Sequence, residues 1–199
     1  MSSFTVSEIW DSGSIRVNGA KVIAANIRKT FTLDKSMEIL DFGVGTGLLG
    51  FDIATSVKQV YGVDISQEMI SKLKAKNTSE LSIISYTQDI IKEPLNKKFD
   101  GLISSMTLHH IENLELFFTT IYNNIHDNGF IAIADLETED GTFHSDNTGV
   151  FHFGFDKEKL LEIVKKSGFR NIKINTINTI KKPKKDFNVF LLSATKQAK

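Results

Sequence analysis

The stretch that decides the fold is Glu38-Ile39-Leu40-Asp41-Phe42-Gly43-Val44-Gly45-Thr46-Gly47-Leu48-Leu49-Gly50. It joins an apolar, strand-like run to a glycine-rich turn and then to a helix-like run. The glycines allow the backbone to turn sharply and to approach a ligand without a Cβ in the way. The helix that follows opens with N–H groups that have no partner inside the helix. The stretch therefore predicts a strand, a turn and a helix that together bind a nucleotide-like cofactor.

Two cofactors fit such a turn. Residues 45–50 spell G-x-G-x-x-G, the dinucleotide fingerprint. Asp41 favours S-adenosyl-L-methionine instead, because a carboxylate attracts its sulfonium and ammonium groups and repels a pyrophosphate. Asp64 lies about 20 residues beyond the glycines, where a ribose-binding acid is expected, but both cofactors carry a ribose. Asp89, followed by Ile90, suits an adenine edge and face.

Composition is that of an ordinary globular protein. A chain of 199 residues is long enough for one substantial core and short for two, so we expect a single domain over residues 1–199. Its formal net charge is +0, and its Cys count of 0 excludes disulfides, thiolate metal sites and a cysteine nucleophile. No apolar run approaches the ~18 residues of a membrane span, and the first residues do not resemble a signal peptide. We therefore expect a cytoplasmic protein.

Strand-like apolar runs alternate with helical patterns along the chain, which predicts an α/β fold with a doubly wound, mostly parallel sheet. The predicted strands are Glu38–Phe42, Gln59–Val63, Ser82–Tyr86, Phe99–Ser104, Phe130–Leu136, Asn171–Thr179 and Asn188–Ala194. The predicted helices are Gly19–Thr30, Leu48–Thr55, Gln67–Lys76, Leu114–Ile125 and Lys157–Ser167. Residues 181–186 are too few for a crossover helix, so the last two of the seven strands should form an antiparallel hairpin.

Four motifs in this order resemble the class I S-adenosylmethionine-dependent methyltransferases, especially the small single-domain members related to quinone-biosynthesis methyltransferases. They are Leu40–Gly47, Gly62–Met69, Gln88–Ile90 and Phe99–His110, and the stretch Asp127–Asp135 is similar to the fifth strand of that family. The resemblance runs through nearly the whole chain and implies a Rossmann-like fold and methyl transfer. It also implies a cofactor-binding core over residues 36–199, preceded by a lid or helix segment over about residues 1–35.

The resemblance further implies roles for individual residues. Asp41, Gly43, Gly45, Thr46 and Gly47 would contact the methionine portion of the cofactor. Asp64 would bind the ribose hydroxyls, Ile65 one face of adenine, and Asp89 with Ile90 the adenine edge, while Ser105 would close the site.

Methyl transfer to a phenol, hydroxyl or amine needs a base, and histidine or a carboxylate is the usual one. Tentative catalytic residues are His110 and His109, which follow the fourth strand. The loop of residues 137–155 should build the acceptor pocket, with His144 and His152 as candidate substrate-binding residues. Further carboxylates there are Asp135, Glu137 and Asp140. These histidines lack a diagnostic metal spacing, so we predict no metal. Trp10, ahead of the first helix, is a further candidate for substrate binding or for a lid.

The expected function is methyl transfer to a small organic acceptor, with an aromatic or quinone-like molecule as the candidate. Three alternatives stay open: an RNA or protein methyltransferase, a dinucleotide-dependent oxidoreductase, and a cofactor-binding partner subunit without activity. We do not expect a nucleic acid partner because the chain has no net charge, although residues 181–185 include four lysines that could meet phosphate. As part of a hairpin turn, these lysines are expected to be solvated.

Overall fold

A computed structural model describes residues 14–198 of the chain. In this range the strands are β1 (Glu38–Phe42), β2 (Gln59–Asp64), β3 (Ile83–Thr87), β4 (Phe99–Ser105), β5 (Ile125–Leu136), β6 (Arg170–Lys181) and β7 (Asp186–Thr195). The helices are α1 (Ser14–Thr30), α2 (Leu48–Ala54), α3 (Gln67–Lys76), α4 (Leu114–Asn124) and α5 (Lys157–Lys166), and a 3₁₀ turn spans Leu108–His110. Trp10 lies outside the described residues.

The seven strands form one sheet in the order β3-β2-β1-β4-β5-β7-β6. The five strands β3, β2, β1, β4 and β5 are parallel, whereas β7 runs antiparallel to both β5 and β6. The predicted Rossmann-like, doubly wound sheet with an antiparallel hairpin at its end is therefore confirmed. Strand order reverses between β1 and β4, and ligands of open α/β sheets bind at the carboxyl ends of strands at such a point.

Helices cover both faces of the sheet. Helices α1, α2 and α3 pack on one face, where Ile27, Ile53 and Leu73 are fully buried. Helices α4 and α5 pack on the other face through residues such as Phe117 and Val164. Burial of both faces explains why the central strands are nearly continuous apolar runs.

Side-chain caps fix where the helices begin. The Ser66 side chain accepts a hydrogen bond from the Met69 N–H at 3.3 Å, which starts α3 where the sequence predicts it. Asn113 caps α4 in the same way, accepting from Leu116 N–H at 2.9 Å. Because β2 and β4 both run parallel to β1, the loops that these caps terminate lie at the same edge of the sheet.

Most element boundaries lie within two residues of the sequence prediction, and two differ by more. Helix α1 begins at Ser14 rather than Gly19, because a helix continues through a glycine once packing favours it. Strand β5 begins at Ile125, where the prediction has the end of α4 and a turn up to Phe130. Backbone pairing accounts for this extension: Ile125 lies opposite Phe99, and Asn128 N–H donates to the Lys196 carbonyl at 2.8 Å.

None of the helices within residues 14–198 is long and apolar enough to cross a membrane.

Candidate active site

The glycine turn lies directly after β1 and is held open by positive φ angles. Gly43 has φ 67° and Gly45 has φ 52°, a region that residues with a Cβ rarely occupy. A Cβ on Gly43 would meet the Thr107 side chain at 2.2 Å, so the loop after β4 presses against the turn. A Cβ on Gly45 would meet nothing within 4 Å. The turn therefore has a packed side and an open side, and the open side is where a ligand fits.

Asp64, at the end of β2, ties this turn to α3. One carboxylate oxygen accepts from Gly45 N–H at 2.9 Å and the other from Ser66 N–H at 2.8 Å. Because Asp64 is only half-buried, its carboxylate also borders the open side of the turn. The predicted ribose contact is compatible with this position.

Asp41 lies beneath the turn rather than at its rim, with 2% of its surface exposed. Burial raises the pKa of the Asp41 carboxyl well above its usual range, and the neighbouring Asp64 carboxylate raises it further. A hydrogen bond from the Gly50 backbone N–H opposes these effects. The buried Oδ2 atom has no hydrogen-bond partner. Such an oxygen would gain from a nearby cation or N–H donor.

Three further candidate cofactor residues, Ile65, Ile90 and Asp89, differ in how far their side chains are exposed and in which contacts they make. The Ile65 side chain is 77% exposed and offers a free apolar surface beside Asp64. Ile90 is 2% exposed and packs in the core below α4, so it offers no free face. Asp89 is engaged locally, with Oδ1 accepting from Ile91 N–H at 3.1 Å and Oδ2 lying 3.2 Å from Lys92 Nζ.

Thr46, Gly47 and Ser105 complete the surroundings of the turn. Thr46 is buried, and its carbonyl accepts from Lys76 Nζ at 3.0 Å. Gly47 N–H closes the turn on the Val44 carbonyl at 2.8 Å. Ser105 is half-buried, and its carbonyl accepts from the Thr107 hydroxyl at 3.1 Å. Thr107, which sequence reasoning missed, thus connects the end of β4 to the glycine turn.

His109 is almost fully buried and is paired with Asp135 at the end of β5. The His109 Nδ1 atom lies 2.8 Å from Asp135 Oδ1, and the His109 backbone N–H donates to Oδ2 at 3.2 Å. Leu136 N–H donates to Oδ1 at 2.8 Å. A carboxylate can only accept, so the proton of the His109 ring is on Nδ1 and the lone pair is on Nε2. The buried Nε2 has no partner.

Two more histidines stand around His109. The ring centroids of His110 and His144 lie 4.2 Å and 4.8 Å from that of His109. His110 is exposed, and its Nδ1 lies 2.7 Å from the Gly149 carbonyl. His144 is half-buried, and its Nε2 is buried without a partner. Burial lowers the pKa of His144, as do the neighbouring His109, His110 and Lys182, while Asp135 acts in the opposite direction.

The other predicted acceptor residue, His152, takes part in different contacts. Its Nε2 lies 2.9 Å from the Ile111 carbonyl, and its ring packs 5.2 Å from that of Phe155. The structure thus brings His109, His110 and His144 together as one cluster and engages His152 with the backbone after the 3₁₀ turn. In the range 14–198, no group of three or more histidines or acids is arranged to hold a metal ion.

The turn between β6 and β7 reaches the predicted acceptor loop, contrary to the expectation of a fully solvated lysine cluster. Lys182 Nζ donates to the Phe143 carbonyl and lies 4.0 Å from the centre of the Phe143 ring. Lys185 pairs with Asp140 at 2.9 Å. Desolvation, followed by the charge of Arg16, lowers the pKa of Lys182. The expectation of solvation is thus wrong for Lys182, which is half-buried against the loop that carries His144, whereas Lys185 is exposed and pairs with Asp140 at the surface.

Comparison with known proteins identifies a family and relatives that this chain resembles. Residues 33–168 match a family model described as a methyltransferase domain. An uncharacterized methyltransferase of Schizosaccharomyces pombe is 28% identical over 162 residues, which cover 72% of this chain and 57% of the relative. A ubiquinone biosynthesis O-methyltransferase of Rickettsia canadensis is 31% identical over 101 residues, which cover 50% of this chain and 43% of the relative. The chain spans about half the length of these curated relatives.

The fold recurs in solved structures. A Haemonchus contortus phosphoethanolamine N-methyltransferase 2, solved in complex with S-adenosyl-L-methionine, superposes with a TM-score of 0.71 at 17% identity. The match covers 98% of this chain and 61% of that chain. At this level of identity the likeness establishes the fold.

Proposed function

The chain belongs to the methyltransferase-domain family, as a class I S-adenosylmethionine-dependent methyltransferase, and from this we propose that it transfers a methyl group from S-adenosyl-L-methionine to a small organic acceptor. We take the acceptor to be aromatic or quinone-like. The one observation that carries the proposal is the glycine turn, which is open at Gly45 and has an unpartnered carboxylate oxygen of Asp41 beneath it. A cofactor with a cationic amino acid end suits this combination.

The residues present fit the cofactor. In this proposal Gly43, Gly45, Thr46 and Gly47 approach the methionine portion, and Asp41 holds its ammonium group. When bound, S-adenosyl-L-methionine supplies an electrophilic methyl group on a positively charged sulfur.

Further residues complete the proposed cofactor site. Asp64 accepts from the ribose hydroxyls while its existing hydrogen bonds keep the turn in place. The exposed Ile65 side chain covers one face of adenine. Asp89 lies at the adenine edge, where its carboxylate would be shared with Lys92, and Ile90 contributes only its backbone there because its side chain is buried in the core. Ser105 closes the site beside Thr107.

On the acceptor side, we assign the proton-accepting role to His109, because its Nε2 lone pair is buried and unpaired. His110 and His144 border the same space, and loop 137–155 forms its outer wall. His152 stays a candidate for the wall on the side of Phe155. Trp10 remains a proposed cover.

The alternatives have less support. Lys182 and Lys185 are occupied by the acceptor loop, which weakens the case for RNA binding by the lysine cluster. A dinucleotide would place a pyrophosphate close to Asp41 and Asp64, which is electrostatically unfavourable. The cytoplasmic location expected from the sequence stays a prediction.

Calorimetric titration of the purified full chain tests the proposal. We expect micromolar binding of S-adenosylmethionine and S-adenosylhomocysteine and no heat from NAD or NADP. Binding of NAD or NADP alone would overturn the methyltransferase function for this site. Turnover of a small-molecule pool by the protein alone would exclude the inactive-partner alternative, and salt-sensitive binding of RNA would favour a nucleic acid acceptor.

A further inference from the structure

Two imidazole nitrogens in the histidine cluster are buried and have no hydrogen-bond partner: Nε2 of His109 and Nε2 of His144. Their rings are 4.8 Å apart between centroids. Burying a polar atom without a hydrogen bond is unfavourable, and two such atoms in neighbouring rings point to a ligand that satisfies both. The identity of that ligand follows from what each nitrogen requires.

The His109 nitrogen requires a donor. The Asp135 carboxylate fixes the ring proton on Nδ1, which leaves a lone pair on Nε2. Asp135 is itself fully buried and accepts from two backbone N–H groups, so it cannot turn away from His109. The molecule next to Nε2 must therefore present an O–H or an N–H group.

The surroundings of His144 disfavour a cation. Burial lowers the pKa of His144 most, and the basic groups of His109, His110 and Lys182 lower it further. Asp135 is the acid that raises this pKa. Asp135 already pairs with His109, and Lys182 with the Phe143 carbonyl. An ammonium group placed here would meet Lys182 without a free carboxylate from this set. With the His144 proton on Nε2, a neutral group that donates to His109 and accepts from His144 fits, and a hydroxyl does both.

We propose that His109 and His144 clamp a hydroxyl group of the acceptor, so that the atom methylated is oxygen. This inference rests on the proposed function and narrows it to alcohols and phenols. His109 Nε2 accepts the hydroxyl proton, and His144 Nε2–H donates to the same oxygen and stabilises its developing negative charge. Asp135 is a positioning residue that holds the His109 tautomer.

The proton and electron pairs of the transfer balance. The acceptor oxygen forms a bond to the methyl carbon as the carbon–sulfur bond of S-adenosyl-L-methionine breaks, and that electron pair stays on sulfur. The hydroxyl proton passes to His109 Nε2, which becomes an imidazolium beside the Asp135 carboxylate. The proton then leaves to solvent, and the products are a methyl ether and S-adenosylhomocysteine.

Nitrogen-15 NMR of the histidine side chains tests the clamp without turnover. The full chain, saturated with S-adenosylhomocysteine, is titrated separately with phenol, with anisole, which lacks the donor, and with benzylamine, which is a cation. We expect phenol alone to shift the Nε2 resonances of both His109 and His144. Absence of a phenol response at either nitrogen, or an equal response to anisole or benzylamine, would overturn the proposal.

Single substitutions distinguish the proposed roles of His109, His144 and Asp135. His109→Gln and His144→Gln should each weaken phenol binding about tenfold, since each removes one of two buried hydrogen bonds. His126→Gln, at an exposed histidine at the start of β5, is the matched control and should bind phenol as the wild type does. Asp135→Ala removes the acceptor that fixes the His109 ring proton on Nδ1, so part of the His109 population should carry the proton on Nε2 instead, a change that loss of packing alone would not produce. An unchanged tautomer would remove the positioning role of Asp135.

The two hypotheses fail in distinguishable ways. If S-adenosylhomocysteine does not bind, the proposed cofactor is wrong. If it binds and phenol leaves both nitrogens unchanged, the methyltransferase function stands and only the hydroxyl clamp is refuted. The wild-type titration gives this answer even if a variant fails to fold.

Discussion

Replacing Asp41 by Asn should make the cofactor-free protein more stable and the cofactor-bound protein harder to form. Asp41 is buried beside Asp64, and its Oδ2 has no partner. Asp41→Asn replaces an ionisable group by a neutral amide and keeps an oxygen that can accept from Gly50 N–H. We expect a gain in unfolding free energy of about 1–3 kcal/mol near pH 7, because the folded state no longer has to bury a carboxyl group that ionises freely in the unfolded chain. For a chain of this length that corresponds to a rise in Tm of roughly 2–10 °C.

The pH dependence of this effect has a definite sign. The folded pKa of Asp41 lies above its unfolded value of 3.8, so the folded state binds the extra proton between those two pH values. Wild-type stability from this group is therefore greatest below the unfolded pKa and is lost as pH rises through the folded pKa. Asp41→Asn should show its advantage at neutral pH and lose it on acidification.

Asp41→Asn should weaken cofactor binding although it stabilises the cofactor-free protein. Loss of a charge-assisted hydrogen bond to the ammonium group is worth about 1.5–3 kcal/mol, or roughly 10- to 150-fold in Kd. Calorimetry with S-adenosylmethionine and thermal melts from pH 4 to pH 8 measure both effects. Asp186→Asn, which removes an exposed acid at the start of β7, is the control and should change neither. A variant that is less stable than the wild type at pH 7, or that binds the cofactor equally well, would refute the reasoning.

Three further predictions follow from the same geometry. Asp64→Ala removes the acceptor for Gly45 N–H as well as the proposed ribose contact. S-adenosylhomocysteine should therefore bind at least about tenfold more weakly in calorimetry. Near-wild-type affinity would show the ribose assignment to be wrong. Gly43→Ala should lower stability by about 1–3 kcal/mol in urea unfolding, because it combines a positive φ with a Cβ 2.2 Å from the Thr107 side chain; an unchanged urea midpoint would contradict the packing of that loop on the turn. The pKa of His144 is lower in the folded state, so the unfolded chain takes up the His144 proton first as pH falls. The unfolding free energy should therefore be full at pH 7 and decrease as pH falls through the unfolded pKa of 6.5. His144→Gln should flatten that part of the profile of unfolding free energy against pH, and an unaltered profile would exclude His144 as its source.

Local features of the fold were readable from the sequence because they depend on neighbouring residues. The glycines after β1 determine the turn, since few other residues adopt φ near 60°. The apolar strands, the Ser66 cap and the short connection before β7 likewise predict their structures from local spacing. Strand β5 shows the limit, because its first residues extend only by pairing with a strand that lies elsewhere in the chain.

The candidate active-site residues also fall into two groups: those that a local motif predicts and those that only tertiary contacts bring together. The sequence by itself determined the glycine turn and the acids near the carboxyl ends of β1 and β2, because each motif is contiguous. Only the tertiary structure decided that Asp135 pairs with His109 across 26 residues, that His144 joins them, and that Lys182 holds the loop from the far hairpin. It also decided that Asp41 is buried beneath the turn and that Ile90 packs in the core. Pairing, burial and the pKa changes that follow depend on distances between residues far apart in the chain, which spacing along a single sequence does not encode.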